Sequence, residues 1–132
     1  MLSRNRRLKS ADFEIAFARG RQIRHPLLVL RCYRRAEEDD HDQLRAAFAV
    51  PKKLAKASGR NRWRRRLRHW FYEILQVLPE NQDTMTSWNQ CDLIFMLTAQ
   101  GQEAKPQDVR QAMNALWTKT QRSLGHNESS SG

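Results

Sequence analysis

Between Pro51 and Leu78 the chain reads PKKLAKASGRNRWRRRLRHWFYEILQVL, and this stretch limits what the rest can be. If it is helical from about Gly59, a step of 100° per residue gathers Trp63, Leu67, Trp70, Phe71, Ile74, Val77 and Leu78 into one sector about 120° wide. So large an apolar stripe needs a core to face. On the same wheel Asn61, Arg62, Arg65 and Arg68 project to the opposite side, Arg64 lies on the flank, and Arg60 falls at the helix start. The stretch holds nine of the 24 lysines and arginines and a single acid, Glu73. Solvated helical faces usually carry both signs, three or four residues apart, which offsets self-repulsion. Here no acid follows Arg60 before Glu73. Crowded like charge costs free energy in the free chain, and a bound polyanion relieves it. One face is suited to packing, the other to a polyanion.

The whole chain carries a net charge of +10, which again favours an acidic partner, nucleic acid before an anionic membrane. Its 132 residues suit one domain with a modest core. The charge is uneven: residues 1–24 hold seven basic and two acidic side chains, residues 80–132 four and six. The anion-binding surface is therefore expected in the first half and the central helix. No apolar run is long enough to span a bilayer, and the early Arg4, Arg6, Arg7 and Lys9 are not followed by a hydrophobic stretch. A cytoplasmic location is expected. Cys32 and Cys91 stand singly in apolar runs and read as small buried thiols rather than a disulfide or zinc site.

Taken in order, Met1–Lys9 is a basic arm, and Ser10 offers an N-cap for a helix running to Arg19 with Asp12 in its first turn and Gly20 as C-cap. Phe13 and Phe17 share one face of it. Leu27–Arg34 reads as a strand, with Leu28, Leu30, Cys32 and Arg34 on one face and Leu27, Val29, Arg31 and Tyr33 on the other. The acidic 36–43 segment, His41 included, reads as a solvated hairpin connection. Leu44–Val50 is the next strand, stopped by Pro51, which has no N–H to donate. Pro79 ends the central helix, and Trp88 in the polar connection beyond reads as a packing anchor. Asp92–Leu97 is a continuous apolar, buried strand. Pro106 opens a last helix with Val109, Ala112, Met113, Leu116 and Trp117 as its stripe, and residues 125–132 read as a mobile polar tail after a single domain over 1–124. The class is α+β.

A hydrolytic site needs grouped carboxylates for metal ions or a histidine pair for proton transfer. The acids here gather in one loop or lie singly and the four histidines are scattered, so neither a catalytic residue nor a protein-held metal is expected. His69 has no serine, cysteine or acid at useful spacing.

Lys52-Lys53, Lys56-Ala57, Arg60-Asn61-Arg62, Arg64-Arg65 and Arg68 resemble the signature segment of the bacterial ribonuclease P protein subunit, where a strand ending in two lysines leads into an Arg-Asn-Arg helix. RLKSADFEIAFARG is similar to that family's opening segment, and Asp92-Leu93-Ile94-Phe95 to its Asp-Ile-Val-Val strand. The resemblance implies a single-domain α/β sandwich of about four strands and three helices with a left-handed β-α-β crossover. It implies that Lys52, Lys53, Lys56, Arg60, Asn61, Arg62, Arg64, Arg65 and Arg68 bind the catalytic RNA of ribonuclease P. Phe13 and Phe17 would border a cleft for the single-stranded 5′ leader of precursor tRNA, with Arg31 and Tyr33 of the facing strand in reach. Mg²⁺ would be held by the RNA subunit, which cleaves; this chain would favour precursor over mature tRNA by differential binding. The chain departs from the family's pattern at Pro51, His69 and Thr98, where a small hydroxyl residue, Glu and a basic residue are usual.

A general RNA- or ribosome-binding module would use the same basic helix without requiring the Phe13–Phe17 pair. A helix reading the DNA major groove, of the zipper type, would lack Trp63, Trp70 and Phe71 on its other face. A membrane-surface helix would need that face free, yet the strands need it as core.

Overall fold

The computed structural model describes residues 7–35, 44–54, 56–76 and 91–130, with side chains for all of these except residues 54 and 122–130. The elements are helix α1 (Ser10–Arg19), strands β1 (Arg21–Arg24), β2 (Leu28–Arg34) and β3 (Arg45–Ala49), a 3-10 turn (Lys52–Leu54), helix α2 (Ala57–Gln76), strand β4 (Cys91–Leu97), and helices α3 (Ala99–Glu103) and α4 (Pro106–Ser130). The expectations for residues 1–6 of the arm, the acidic 36–43 segment, Val77, Leu78, Pro79, Trp88 and residues 131–132 lie outside the described residues.

β4 is the most apolar strand, and it takes an inner place in a sheet of order β1-β2-β4-β3, buried at every position but Met96. It runs antiparallel to β2, with Leu30 opposite Phe95 and Tyr33 opposite Asp92. It runs parallel to β3, with Arg45 opposite Asp92 and Phe48 opposite Phe95, and α2 supplies the long connection that parallel neighbours need. The fold is α+β with a mixed four-stranded sheet, as expected.

Strand alternation gives the sheet two unlike faces. Leu28, Leu30, Cys32, Ala46, Leu93, Phe95 and Leu97 face α2 and α4 and form the core with Trp63, Leu67, Phe71, Val109, Met113 and Leu116. Phe48, Phe71 and Phe95 meet there with ring centres 5.6–6.0 Å apart. The stripe expected on the last helix is buried throughout, and Pro106 is that helix's first residue. Cys32 and Cys91 are both buried thiols, and hydrogen bonding to Cys91 together with burial pushes the Cys32 thiol well above its ordinary range.

Several local expectations are corrected. Ser10 is the first helical residue of α1 and not its cap; Lys9 holds the cap position without a side-chain bond. Gly20 is the C-cap, as expected, its N–H donating to Ala16 O at 2.8 Å, but its backbone is extended and not left-handed. A methyl group there would instead overlap the Ala16 carbonyl oxygen and come 3.3 Å from Cys32 O. β1 was not anticipated, because RQIR is too short and polar to read as a strand; it forms by pairing Ile23 with Leu30 across the tight His25–Leu27 turn. The lysines after Pro51 begin a 3-10 turn, and α2 starts at Ala57, two residues early. The backbone of α4 continues to Ser130 rather than giving way to a tail at Gly125, since a glycine lowers helix propensity without removing a hydrogen bond.

Candidate nucleic-acid interface

The helical wheel of α2 holds in three dimensions. Trp63, Leu67, Phe71 and Ile74 are buried, while Lys56, Asn61, Arg62, Arg65 and His69 are exposed and Arg60, Arg64 and Arg68 half-buried. No acid stands in the first turn of α2, so the positive end of the helix dipole is reinforced by Lys52, Lys53, Lys56 and Arg60. Arg60 Nη1 donates to Lys52 O at 3.3 Å, tying the 3-10 turn to the helix, and Arg64 Nη1 donates to Asn61 Oδ1 at 3.0 Å. Arg66 is turned the other way: its guanidinium lies 4.8 Å from the Trp63 ring centre and covers the core's edge. Arg68 borders a hollow of about 180 Å³ with Arg7, Leu8 and Ala46–Phe48, at the edge where Leu8 N–H donates to Ala46 O at 3.3 Å.

The second sheet face carries α1, which packs on β2 and β4. Ala16 and Ile94 are buried between them, while Val29, Ala47, Ala49 and Met96 on the same face remain half-buried. Phe13 and Phe17 stack at 6.0 Å with an interplanar angle of 15°, and Phe17 is 43% exposed. Arg31 of β2 places its guanidinium 4.6 Å from the Phe17 ring centre and donates to Gln22 Oε1 at 2.8 Å. Its Nε is buried without a hydrogen-bond partner. The structure thus brings Phe13, Phe17 and Arg31 together. Tyr33 shares their face one row away, opposite Asp92.

A buried ionic cluster underlies this face. Arg45 donates from Nε and Nη2 to the two carboxylate oxygens of Asp92, each at 2.9 Å, and from Nη1 to Asp12 Oδ2 of α1 at 3.2 Å. Arg35 bonds both Asp92 Oδ1 and Cys91 O. Arg35, Arg45 and Asp92 are 4%, 3% and 2% exposed. Charges so far from water persist when paired and hydrogen-bonded, which the fork geometry of arginine provides. Among the described residues no three of His, Cys, Asp and Glu converge as a metal site, and no helix is long and apolar enough to cross a membrane.

A family model described as Ribonuclease P matches residues 2–121. The chain belongs to the ribonuclease P protein family. The ribonuclease P protein component of Gluconacetobacter diazotrophicus is 46% identical over 82 residues, 61% of this chain and 68% of that protein. That of Streptomyces bikiniensis is 38% identical over 81 residues, 57% of this chain and 65% of that one. The matched segments therefore span about two thirds of those relatives. The fold is shared with the RNase P protein of Staphylococcus aureus, at a TM-score of 0.69 and 19% identity over 87% of this chain and 94% of that one. It is shared too with that of Thermotoga maritima, at 0.64 and 22% over 83% and 94%.

The departures from the ribonuclease P family's pattern have visible local consequences. Pro51 is exposed, and β3 stops short of it at Ala49. His69 sits on the exposed face of α2 and adds no carboxylate among the arginines. Thr98 is committed to structure: its Oγ1 donates to Pro26 O at 2.6 Å and accepts from Gly101 N at 2.9 Å, capping α3. Sequence reasoning missed Arg35, Arg45 and Asp92 as a group. The available signal was an arginine inside LRAAFAV and an aspartate opening DLIFML, charges that an apolar strand tolerates only as partners.

Proposed function

We propose that this chain is the protein subunit of ribonuclease P, acting in the cytoplasm in 5′ maturation of tRNA. The observation that carries this is the polar face of α2, where basic groups and Asn61 run from Lys56 to Arg68 without an acid while the opposite face is buried. In this reading Lys52, Lys53, Lys56, Arg60, Asn61, Arg62, Arg64, Arg65 and Arg68 contact phosphates of the ribonuclease P RNA. Lysines act as mobile point charges and arginines as planar forks. The 5′ leader of precursor tRNA enters the cleft between α1 and the sheet, where its bases stack on Phe13 and Phe17 over Arg31, with Tyr33 at the next row.

Catalysis belongs to the RNA, which holds Mg²⁺; the chain's role is differential binding. A precursor has a leader to place in the cleft and a mature tRNA has none, so binding energy separates substrate from product. The engagement of Asp12 and Asp92 by Arg45, and of Glu73 by Arg110 at 3.1 Å, supports this division, since these carboxylates are directed at arginines.

The test is cleavage of a precursor tRNA by a bacterial ribonuclease P RNA at low Mg²⁺, with and without the protein. Stimulation that requires the RNA, with no cleavage by the protein alone, is the expected result. Salt-sensitive RNA binding without stimulation would make the chain a general RNA-binding module.

A further inference from the structure

Helix α1 is ten residues long, too short to persist alone, and buries one side chain fully, Ala16. Its orientation on the sheet must be set by a few contacts. Near one end, Phe17 rests over Arg31 of β2. Near the other, Asp12 meets Arg45 of β3, so the two contacts lie on either side of β4.

Arg45 is a rigid anchor for the second contact. Two parallel bonds from Nε and Nη2 to Asp92 fix the plane of its guanidinium, and Asp92 is in turn held by Arg35, which also bonds Cys91 O at 3.1 Å. The third bonding group of Arg45, Nη1, projects toward α1 and meets Asp12 Oδ2 at 3.2 Å. Asp12 is the acid of α1's first turn, where its charge also suits the helix dipole. It brings a second carboxylate to two guanidinium groups that share Asp92. The residue next to it is Phe13.

We infer that Asp12 is a positioning residue for the leader cleft: docked on Arg45, its carboxylate sets the angle at which α1 presents Phe13 and Phe17 to the sheet. The inference rests on the leader-binding reading above. Asp12 touches no RNA in this scheme and acts through the aromatic pair.

The test is a double-mutant cycle in the reconstituted RNA–protein holoenzyme, with Asp12→Asn, Phe17→Ala and both together, measuring affinity for precursor and mature tRNA and for the RNA subunit. Asp12→Asn is expected to weaken precursor binding about three- to fivefold, the scale of one ion pair whose carboxylate is reached by water. Mature tRNA and RNA-subunit affinities should stay at wild-type values, and the loss should vanish in the Phe17→Ala background. Loss of stability alone would not produce that coupling. Asp12→Glu, which keeps the charge on a longer arm, should weaken precursor binding in the same sense. Unchanged precursor affinity in Asp12→Asn, or an equal loss with and without Phe17, overturns the inference. If Phe17→Ala alone changes nothing, the leader-binding reading itself falls, and the inference with it.

Discussion

The guanidinium of Arg31 lies 4.6 Å from the centre of the Phe17 ring while its Nη2 is held by Gln22 Oε1 at 2.8 Å. The bond to β1 fixes the cation, and the cation supports an aromatic ring that is 43% exposed. Phe17 is thus presented rather than buried, which is what stacking with an unpaired base requires.

Phe17→Ala is accordingly expected to weaken precursor tRNA binding by the holoenzyme by about 1–3 kcal/mol. Binding of the RNA subunit should be unaffected, since the ring is on the sheet face opposite α2. Equilibrium titrations with a leader-bearing and a leaderless tRNA make the measurement. Equal losses for both would remove the leader from the cleft.

Arginines of α2 should divide by where they point. Arg62→Ala and Arg65→Ala are each expected to lower RNA-subunit affinity and flatten its log–log salt dependence by about 0.7–0.9 per lost phosphate contact. Arg66, stacked 4.8 Å from the Trp63 ring centre, should behave differently. Its replacement by alanine should lower stability by about 0.5–1 kcal/mol with little change in salt slope. If all three variants shifted the slope alike, the division of α2 into two faces would be wrong.

The same division explains how far the sequence could be read. The stripe Trp63, Leu67, Phe71 and Ile74 and the run Leu93–Leu97 were legible because apolar periodicity and length are local, and burial follows from them directly. Arg45 was not legible in this way. Alternation along LRAAFAV places it on the face opposite Leu44, but its 3% exposure depends on Asp12 and Asp92, which lie 33 and 47 residues away. β1 was hidden for a related reason, since its four residues become a strand only by pairing with β2. In the cleft, the Phe13–Phe17 pair could be read from its spacing. The choice of Arg31 over Tyr33 as the residue against Phe17 needed the placement of α1 on β2.

Asp92→Asn should be among the most damaging single substitutions. It would leave Arg45 and Arg35, both nearly without solvent contact, facing a neutral amide in place of the carboxylate they share. Removing one partner of a buried ion pair typically costs about 3–5 kcal/mol. A denaturant titration should show the midpoint falling by a corresponding amount. A loss under about 1 kcal/mol, the range of an exposed pair, would mean that water reaches the cluster.

Gly101→Ala sets helix propensity against packing. Gly101 lies inside α3, and alanine is about 1 kcal/mol the better helix former, so propensity alone anticipates a gain. The backbone of Gly101 is not left-handed, and nothing conformational requires glycine there. The space does. An added methyl would overlap the carbonyl oxygen of Leu27 and come 2.9 Å from Leu97 Cδ1. The Leu27 carbonyl cannot withdraw freely, because it accepts the Thr98 N–H at 3.2 Å while Thr98 Oγ1 bonds the neighbouring Pro26 carbonyl. Overpacking against a held backbone costs about 1–3 kcal/mol and outweighs the propensity term. The expected result is a lower Tm with RNA-subunit affinity retained, because Gly101 packs against Leu27 and Leu97 and not against the basic residues of α2. A Tm at or above the wild-type value would show that α3 docks on the Leu27 turn loosely enough to shift.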